Sequence, residues 1–433
     1  MSKLPQGWVE CELKDLLSDD DYAMKRGPFG SSLKKDFFVP KGIRVFEQYN
    51  PINNDPYWAR YYISDEKYEE LKAFTAAAGD LLVSCSGTLG KIIELPNDVE
   101  IGIINQALLK ITLNKQIILN KFFINIFRSP IFQKKILDNT IGTAIQNIAS
   151  VKELKQIKFY LPPLNEQKRI VEKIEEEFGK IDEGIEKLKL AQEQIKQYRQ
   201  SVLKSAFDGK LYKTTEWEEK TLEDITSILG DGLHGTPKYS ENGEYYFING
   251  NNLSDGVIQI KADTKRVDKT EFQKYKKELN EKTVFVSING TLGNTAFYNN
   301  EKIILGKSAC YFNLLPSANR YFIRYFLKTN YFINYANTNA TGSTIKNVSL
   351  KAMRNLKINL PTLDEQKQIV AEIEKRFEVA DEAERIINEN LEKAEQLKQS
   401  ILKKAFEGRL VPQDLSDTPA SVLLEQIKSE RNK

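Results

Sequence analysis

A repeat constrains this chain more than any other feature, because repeated segments announce repeated structural units. Leu161-Pro162-Pro163-Leu164-Asn165-Glu166-Gln167-Lys168 returns as Leu360-Pro361-Thr362-Leu363-Asp364-Glu365-Gln366-Lys367. Ser201-Val202-Leu203-Lys204-Ser205-Ala206-Phe207-Asp208-Gly209-Lys210-Leu211 returns as Ser400-Ile401-Leu402-Lys403-Lys404-Ala405-Phe406-Glu407-Gly408-Arg409-Leu410 at the same offset of 199. No gap separates the two ends, and 23 of the 51 aligned positions are identical. The regions before these blocks repeat more faintly. Trp8 to Asp15 echoes Trp217 to Asp224, Val83 to Gly90 echoes Val286 to Gly293, and Gly142 to Ile148 echoes Gly342 to Val348. The order is therefore variable domain, similar block, variable domain, similar block, tail.

Each block predicts one long helix. Leu-Pro forces an extended approach, Asn165 or Asp364 offers a capping side chain, and acidic residues fill the first turn. Gly209 and Gly408 are the helix-stop glycines. Between them Ile174, Ile181, Leu188, Ile195 and Val202 recur every seven residues, as do Ile373, Ala380, Ile387, Ala394 and Ile401. Phe178 and Ile185, matched by Phe377 and Glu384, partly fill a second row. A sustained heptad calls for a partner helix, and the other copy is the obvious one. Large-against-small pairing (Ile181 with Ala394, Ile195 with Ala380) suits an antiparallel pair centred on Leu188 and Ile387. A parallel pair matches the sizes equally well. The intervening domain and a pseudo-two-fold relation between the units favour antiparallel.

The variable domains read as mixed α/β. Asp80 to Ser84 and Thr283 to Ser287 are short apolar strands ending in a turn, with further strand signals at Ile101 to Ile104 and Leu108 to Ile111. Lys121 to Phe127 and Arg320 to Phe326 read as short aromatic helices. The expected class is α+β: two mixed α/β domains (1–160 and 213–359), two long helical spacers (161–212 and 360–411) forming an antiparallel coiled coil, and a tail (412–433).

The formal net charge is only +3. It is unevenly spread: residues 1–164 carry 21 basic against 19 acidic residues and residues 207–363 carry 21 against 16, while the second helix and tail are acidic. Mildly basic domains on non-basic helices fit nucleic-acid contact through the domains. The single histidine, His234, argues against hydrolases, zinc enzymes and Ser/His catalysis. Cys11, Cys85 and Cys310 are odd in number and far apart, so they predict neither a disulfide framework nor a zinc knuckle. No apolar run reaches membrane-spanning length, and the N-terminus lacks a signal-peptide core, so a cytoplasmic protein is expected.

Gly230-Asp231-Gly232-Leu233-His234-Gly235 fits G-x-G-x-x-G, but His234-Gly235-Thr236-Pro237 breaks the helix that a dinucleotide site requires. Asn54-Asp55-Pro56-Tyr57 lacks the second proline of the amino-methyltransferase motif, and no phosphate loop accompanies it. No catalytic constellation emerges, and no metal site. The loops supply the other candidates. Lys25, Arg26, Phe29, Ser31, Ser32, Lys34 and Lys35 offer contacts in one loop. His234, Thr236, Lys238 and Tyr239 do so in another. The polar turns Ser84, Ser86 and Thr88, Gln146 and Asn147, Asn251 and Asn252, Ser287, Asn289 and Thr291, and Lys346 and Asn347 add further groups. Such residues suit phosphates, guanine and adenine, and each also has an ordinary role in turns. Tyr57 to Tyr62 is irregular enough for a surface role, whereas Tyr321 to Phe332 has core spacing.

The L-P-x-L-x-E-Q-K-x-I opening and A-F-x-G-x-L close of both helices resemble the specificity subunits of type I restriction–modification systems. So do the Asp231-Gly232-Leu233-His234-Gly235-Thr236-Pro237-Lys238-Tyr239 loop and the ending Leu410-Val411-Pro412-Gln413-Asp414 through Glu425. The resemblance spans essentially the whole chain. It implies a subunit without catalysis or cofactor of its own, whose two target-recognition domains each read half of a bipartite site in double-stranded DNA. The helices would fix the spacer and bind two methyltransferase subunits that methylate adenine with S-adenosylmethionine. Restriction subunits would complete a nuclease dependent on ATP and magnesium. About 40 helical residues extend roughly 60 Å, enough to span half-sites about 34 Å apart. The alternatives are the specificity subunit of a type II-like enzyme and a coiled-coil scaffold with no DNA role.

Overall fold

The computed structural model describes residues 4–137, 148–211, 216–342 and 345–431. The first domain opens with β1 (Val9–Glu12) and β2 (Met24–Arg26), followed by β3 (Ile43–Phe46), β4 (Leu81–Ser84), β5 (Ile92–Glu94), β6 (Gly102–Ile104) and β7 (Leu108–Ile111). After α1 (Asn120–Arg128), β8 (Lys158–Leu161) leads into the long helix α2 (Leu164–Phe207). The second domain supplies β9 (Glu218–Thr221), β10 (Thr226–Asp231), β11 (Tyr245–Ile248), α3 (Lys269–Tyr275), β12 (Thr283–Ser287), β13 (Thr295–Phe297), β14 (Ile303–Leu305) and β15 (Ala309–Leu314). Then follow α4 (Arg320–Phe326), β16 (Lys357–Leu360), the long helix α5 (Leu363–Phe406) and α6 (Ala420–Arg431).

The faint repeat in sequence is a plain repeat in topology. An antiparallel sheet of order β2-β7-β4-β5 in the first domain matches β10-β15-β12-β13 in the second. Each domain also carries one parallel pair within another sheet, β3 beside β6 and β11 beside β14. Strands β4 and β12 are apolar without alternation because both of their faces are buried. In each domain the first strand pairs with the last, β1 with β8 and β9 with β16, which returns the chain to the foot of its own long helix.

The start of each helix differs from the expectation. Both begin before Asn165 and Asp364, which therefore do not cap them. Thr362 caps α5 instead: Glu365 N–H donates to its hydroxyl, and the Glu365 carboxylate accepts from Thr362 N–H at 3.0 Å. This reciprocal pair is a capping box. The buried Pro163 stands at the matching place in α2. Gly209 and Gly408 do end the helices, at φ +71° and +67°, a backbone region open to glycine.

Two compact units divide the chain, one comprising Met1–Lys187 with Asn390–Lys433 and the other Leu188–Glu389. Each holds half of each long helix. In the first, Asp182 pairs with Lys398 at 2.5 Å, and Ile170, Val171 and Ile174 share a core with Ile401, Leu402 and Ala405. In the second, Gln192 bonds Asn388 at 2.8 Å and Arg199 pairs with Asp381 at 2.5 Å. There Val202, Leu203 and Ala206 share a core with Ile369, Val370 and Ile373. Numbers rise along one helix as they fall along the other, so the pairing is antiparallel in both units. Of the heptad residues, Ile174, Val202, Ile373, Ala380, Ile387 and Ile401 are buried, and Ile181, Leu188, Ile195 and Ala394 are half-buried. The polar Glu384 in the second row is accounted for by Arg199, which bonds it at 3.1 Å while lying over Phe377.

The C-terminal segment is no loose tail. Ala420, Leu424 and Ile427 enter the first unit's core, Lys428 pairs with Asp15 at 3.3 Å, and Arg431 bonds Asp19 and the Leu17 carbonyl. Asp417 pairs with Arg169 at 2.6 Å next to the buried Glu166, whose carboxyl burial raises above the usual carboxylate range.

Gln167 and Gln366 explain why the Glu-Gln pair recurs. Gln167, fully buried, accepts from Leu119 N–H at 2.9 Å and donates to the carbonyls of Ile117 and Pro162 at 2.8 and 3.0 Å. Gln366 repeats the pattern on Asn319 N–H and the carbonyls of Ser317 and Pro361 at 2.7, 2.9 and 2.9 Å. Each glutamine ties the first turn of a long helix to its own domain.

Candidate nucleic-acid interface

Strand register gathers the polar loops of each domain along one sheet edge. In the second domain Asp231 pairs with Cys310, which pairs with Val286 on the other side. The loop after β10, the turn after β12 and the turn before β15 therefore leave the sheet together. In the first domain Arg26 and Val83 both face Leu109, so the loops after β2 and β4 and the turn before β7 do the same.

Close backbone packing anchors the two main loops. A Cβ at Gly27 would stand 1.9 Å from the Asn105 carbonyl oxygen, and one at Gly232 would stand 2.3 Å from that of Leu305. Only glycine lets the chain pass that close to the end of the parallel strand. Gly27 N–H donates to the Leu108 carbonyl at 3.0 Å. Leu233 N–H donates to the Leu305 carbonyl at 2.7 Å, and Lys307 N–H donates to the Leu233 carbonyl at 3.0 Å.

On the first loop, Arg26 lies over the Phe29 ring at 5.3 Å, with Phe29 itself 62% exposed. Lys25 lies between the Tyr22 and Phe74 rings at 5.0 and 5.3 Å. Ser31, Ser32, Lys34 and Lys35 are exposed. On the second loop His234, Thr236, Lys238 and Tyr239 are exposed around the buried Pro237, and Lys238 N–H donates to Glu271 at 3.0 Å. Ser86, Thr88, Asn251 and Thr291 are also accessible. A turn rather than a helix follows β10, so the glycines there do not form a dinucleotide site.

Three candidates are corrected by burial. Ser84 is buried, its hydroxyl accepting from Lys91 N–H at 3.0 Å. Ser287 donates to the Thr291 carbonyl at 2.6 Å and accepts from Asn294 N–H at 2.9 Å. Asn252 is held inside by Asn249 N–H and the Gln259 carbonyl, both at 2.9 Å. These buried side chains shape turns. Asn289 and Asn347 bond each other at 3.1 Å, and Lys346 bonds Asn337 at 2.5 Å, so segments far apart in sequence meet in one surface feature. Gln146 and Asn147 lie outside the described residues.

The turns just after the parallel strands carry no mark in the sequence pattern. Lys307 and the pair Asn105-Gln106 reach the same edge, and Glu47 there bonds Arg60 at 3.0 Å, with Arg60 over the Tyr61 ring at 4.3 Å. Their signal is strand pairing, which a single sequence does not display. Trp58 and Tyr61 stack on Tyr49 and Phe38, both at 4.2 Å, while Tyr57 is exposed. Phe322, Phe326 and Phe332 are core, as their spacing predicts.

Among the described residues no cluster of His, Cys, Asp or Glu could hold a metal, and no helix is long and apolar enough to cross a membrane. Burial pushes the Cys11 and Cys85 thiols up to about 12 and raises Cys310 further. Exposed cations, hydroxyls, amides and an aromatic on anchored loops can bind phosphates and base edges.

Comparison with known proteins agrees with this geometry. The type I restriction enzyme EcoKI specificity subunit of Escherichia coli (strain K12) is 25% identical, covering 99% of this chain and 96% of its own. The EcoBI specificity subunit of Escherichia coli is 24% identical over 81% of this chain and 80% of its own. Among solved structures, a chain from a type I R-M system matches with a TM-score of 0.70 at 19% identity, covering 95% of this chain and all of that one. The HsdS subunit from Thermoanaerobacter tengcongensis matches with a TM-score of 0.52 at 19% identity, covering 94% of this chain and 98% of its own. The model of the type I restriction modification DNA specificity domain matches twice, over residues 5–193 and 214–393, each a recognition domain with much of its helix, and the chain belongs to that family.

Proposed function

We propose that this chain is the DNA-recognition specificity subunit of a type I restriction–modification complex, in which each domain reads one half of a bipartite site. The observation that carries this is the duplicated loop edge: the same sheet edge, anchored by the same kind of glycine, carries different side chains in the two domains. Arg26, Phe29 and Lys34 stand in one where His234, Thr236 and Lys238 stand in the other. Equal frames with unequal side chains suit an asymmetric site.

In this reading the long helices set the number of unread base pairs and dock two methyltransferase subunits. The subunit is non-catalytic. S-adenosylmethionine serves the methyltransferases, ATP and magnesium serve the restriction subunits, and the assembly works in the cytoplasm. Co-expression with a type I methyltransferase, co-purification, and long-read mapping of methylated adenines test it. Methylation at a two-part motif with a fixed gap is the expected result. Methylation without such a motif, or no association, overturns it.

A further inference from the structure

The only histidine of the chain has a partner of its own. His234 is 73% exposed, yet its Nε2 lies 2.7 Å from Asp231 Oδ2. Asp231, the last residue of β10, is mostly covered. The loop around the ring is tied at three places: Leu233 to Leu305, Lys307 to Leu233, and Lys238 to Glu271. One nitrogen of an exposed imidazole is thus occupied by a carboxylate, and Nδ1 remains for an outside partner.

A ring held this way has two useful states. The neutral form keeps its proton on Nε2 for Asp231 and offers Nδ1 as an acceptor. The imidazolium offers Nδ1–H as a donor. Charged groups on the surrounding elements include Asp231 on β10, Glu271 on α3, Arg266 on the neighbouring strand, Lys238 in the loop, Lys307 after β14 and Arg354, which bonds the Leu229 carbonyl of β10. Glu271 already accepts from Lys238 N–H. With Nε2–H given to Asp231, a proton on Nδ1 turns the outward-facing nitrogen into a donor. A donor at a base edge suits guanine, whose O6 and N7 are neighbouring acceptors in the major groove.

We propose that Asp231 and His234 form one base-reading unit of the second domain, in which Asp231 positions the ring and His234 Nδ1–H donates to a guanine of its half-site. The proposal rests on the DNA-reading function above. His234 is the contact and Asp231 the positioning residue. The first domain has no counterpart, since Arg26-Gly27-Pro28-Phe29 occupies the matching loop, so its half-site serves as an internal control.

Full-length protein labelled with ¹⁵N-histidine gives signals from one imidazole. The probe is duplex DNA carrying the sequence that the wild-type chain, with its co-expressed methyltransferase, selects from a randomised pool. In the complex both ring nitrogens should carry a proton, and the ring signals should differ from those of the free chain. In selection, H234A and D231A should each weaken preference for the same guanine by roughly tenfold, with the other half-site unchanged. D231E should restore part of it. An unchanged ring signal on DNA, or full guanine preference in H234A and D231A, overturns the inference while DNA reading stands. A wild-type chain that selects no sequence overturns both. An intact first half-site shows that each variant is folded.

Discussion

Replacing Gln167 by leucine probes how each recognition domain is fastened to its helix. The side chains are similar in size, so the main loss is three hydrogen bonds, to Leu119 N–H and the carbonyls of Ile117 and Pro162. The site is fully buried, so water cannot readily replace them. A buried polar group left without its partner costs about 1–3 kcal/mol. Carbonyls keep a second lone pair and relax more easily than N–H, so the low end suits two of the three groups. The expected destabilisation is about 3–4 kcal/mol, a large share of the roughly 5–15 kcal/mol that holds a domain together. Q366L should cost a similar amount, because Gln366 makes the matching three bonds. Urea unfolding of the full chain measures both, with exposed Gln194→Leu as a control expected within about 0.5 kcal/mol of wild type. Losses under about 1 kcal/mol for both buried glutamines would refute the clamp.

Other expectations follow from the same geometry. Inserting or deleting seven residues in one long helix should change the preferred spacer or abolish assembly, without altering the half-site bases, and adenine-methylation mapping reads the outcome. An unchanged spacer defeats the idea that the helices set it. The thiols of Cys11 and Cys85 are raised to about 12, so at pH 8 the reactive thiolate is scarce, and Cys310 is shifted the same way. A thiol reagent should modify none of the three until urea unfolds the chain, and rapid labelling of native protein contradicts this. Ser287→Ala should cost about 1–2 kcal/mol by freeing the Thr291 carbonyl and Asn294 N–H, yet leave the recognised bases unchanged. Altered bases in the methylation motif would show that Ser287 reads DNA after all.

What was legible in the residues was what is local. Heptads, helix-stop glycines and apolar strands are written within a few turns of chain, whereas the antiparallel sense of the helix pair rests on the intervening domain and the pseudo-two-fold relation of the units. The caps moved because Thr362 and Glu365 compete with Asp364 for the first turn, and spacing does not rank them. Gln167 and Gln366 are repeated letters whose role the residues do not show, since two of the three partners of each lie about 47 to 50 residues away and become neighbours only through tertiary packing. The same limit misplaced Ser84, Ser287 and Asn252, polar turn residues whose burial depends on what packs over them. It also concealed Lys307, which reaches the loop edge through the pairing of β14 with β11.

The central claim is that two separate loop edges each read one half of a DNA site. Its most direct measurement is the methylated-adenine motif of cells expressing the methyltransferase with this chain, or with a version whose second recognition domain, residues 213–359, comes from another family member. The account predicts a two-part motif in which the exchange rewrites one half and leaves the other half and the gap intact. A motif changed in both halves, or in neither, would contradict it.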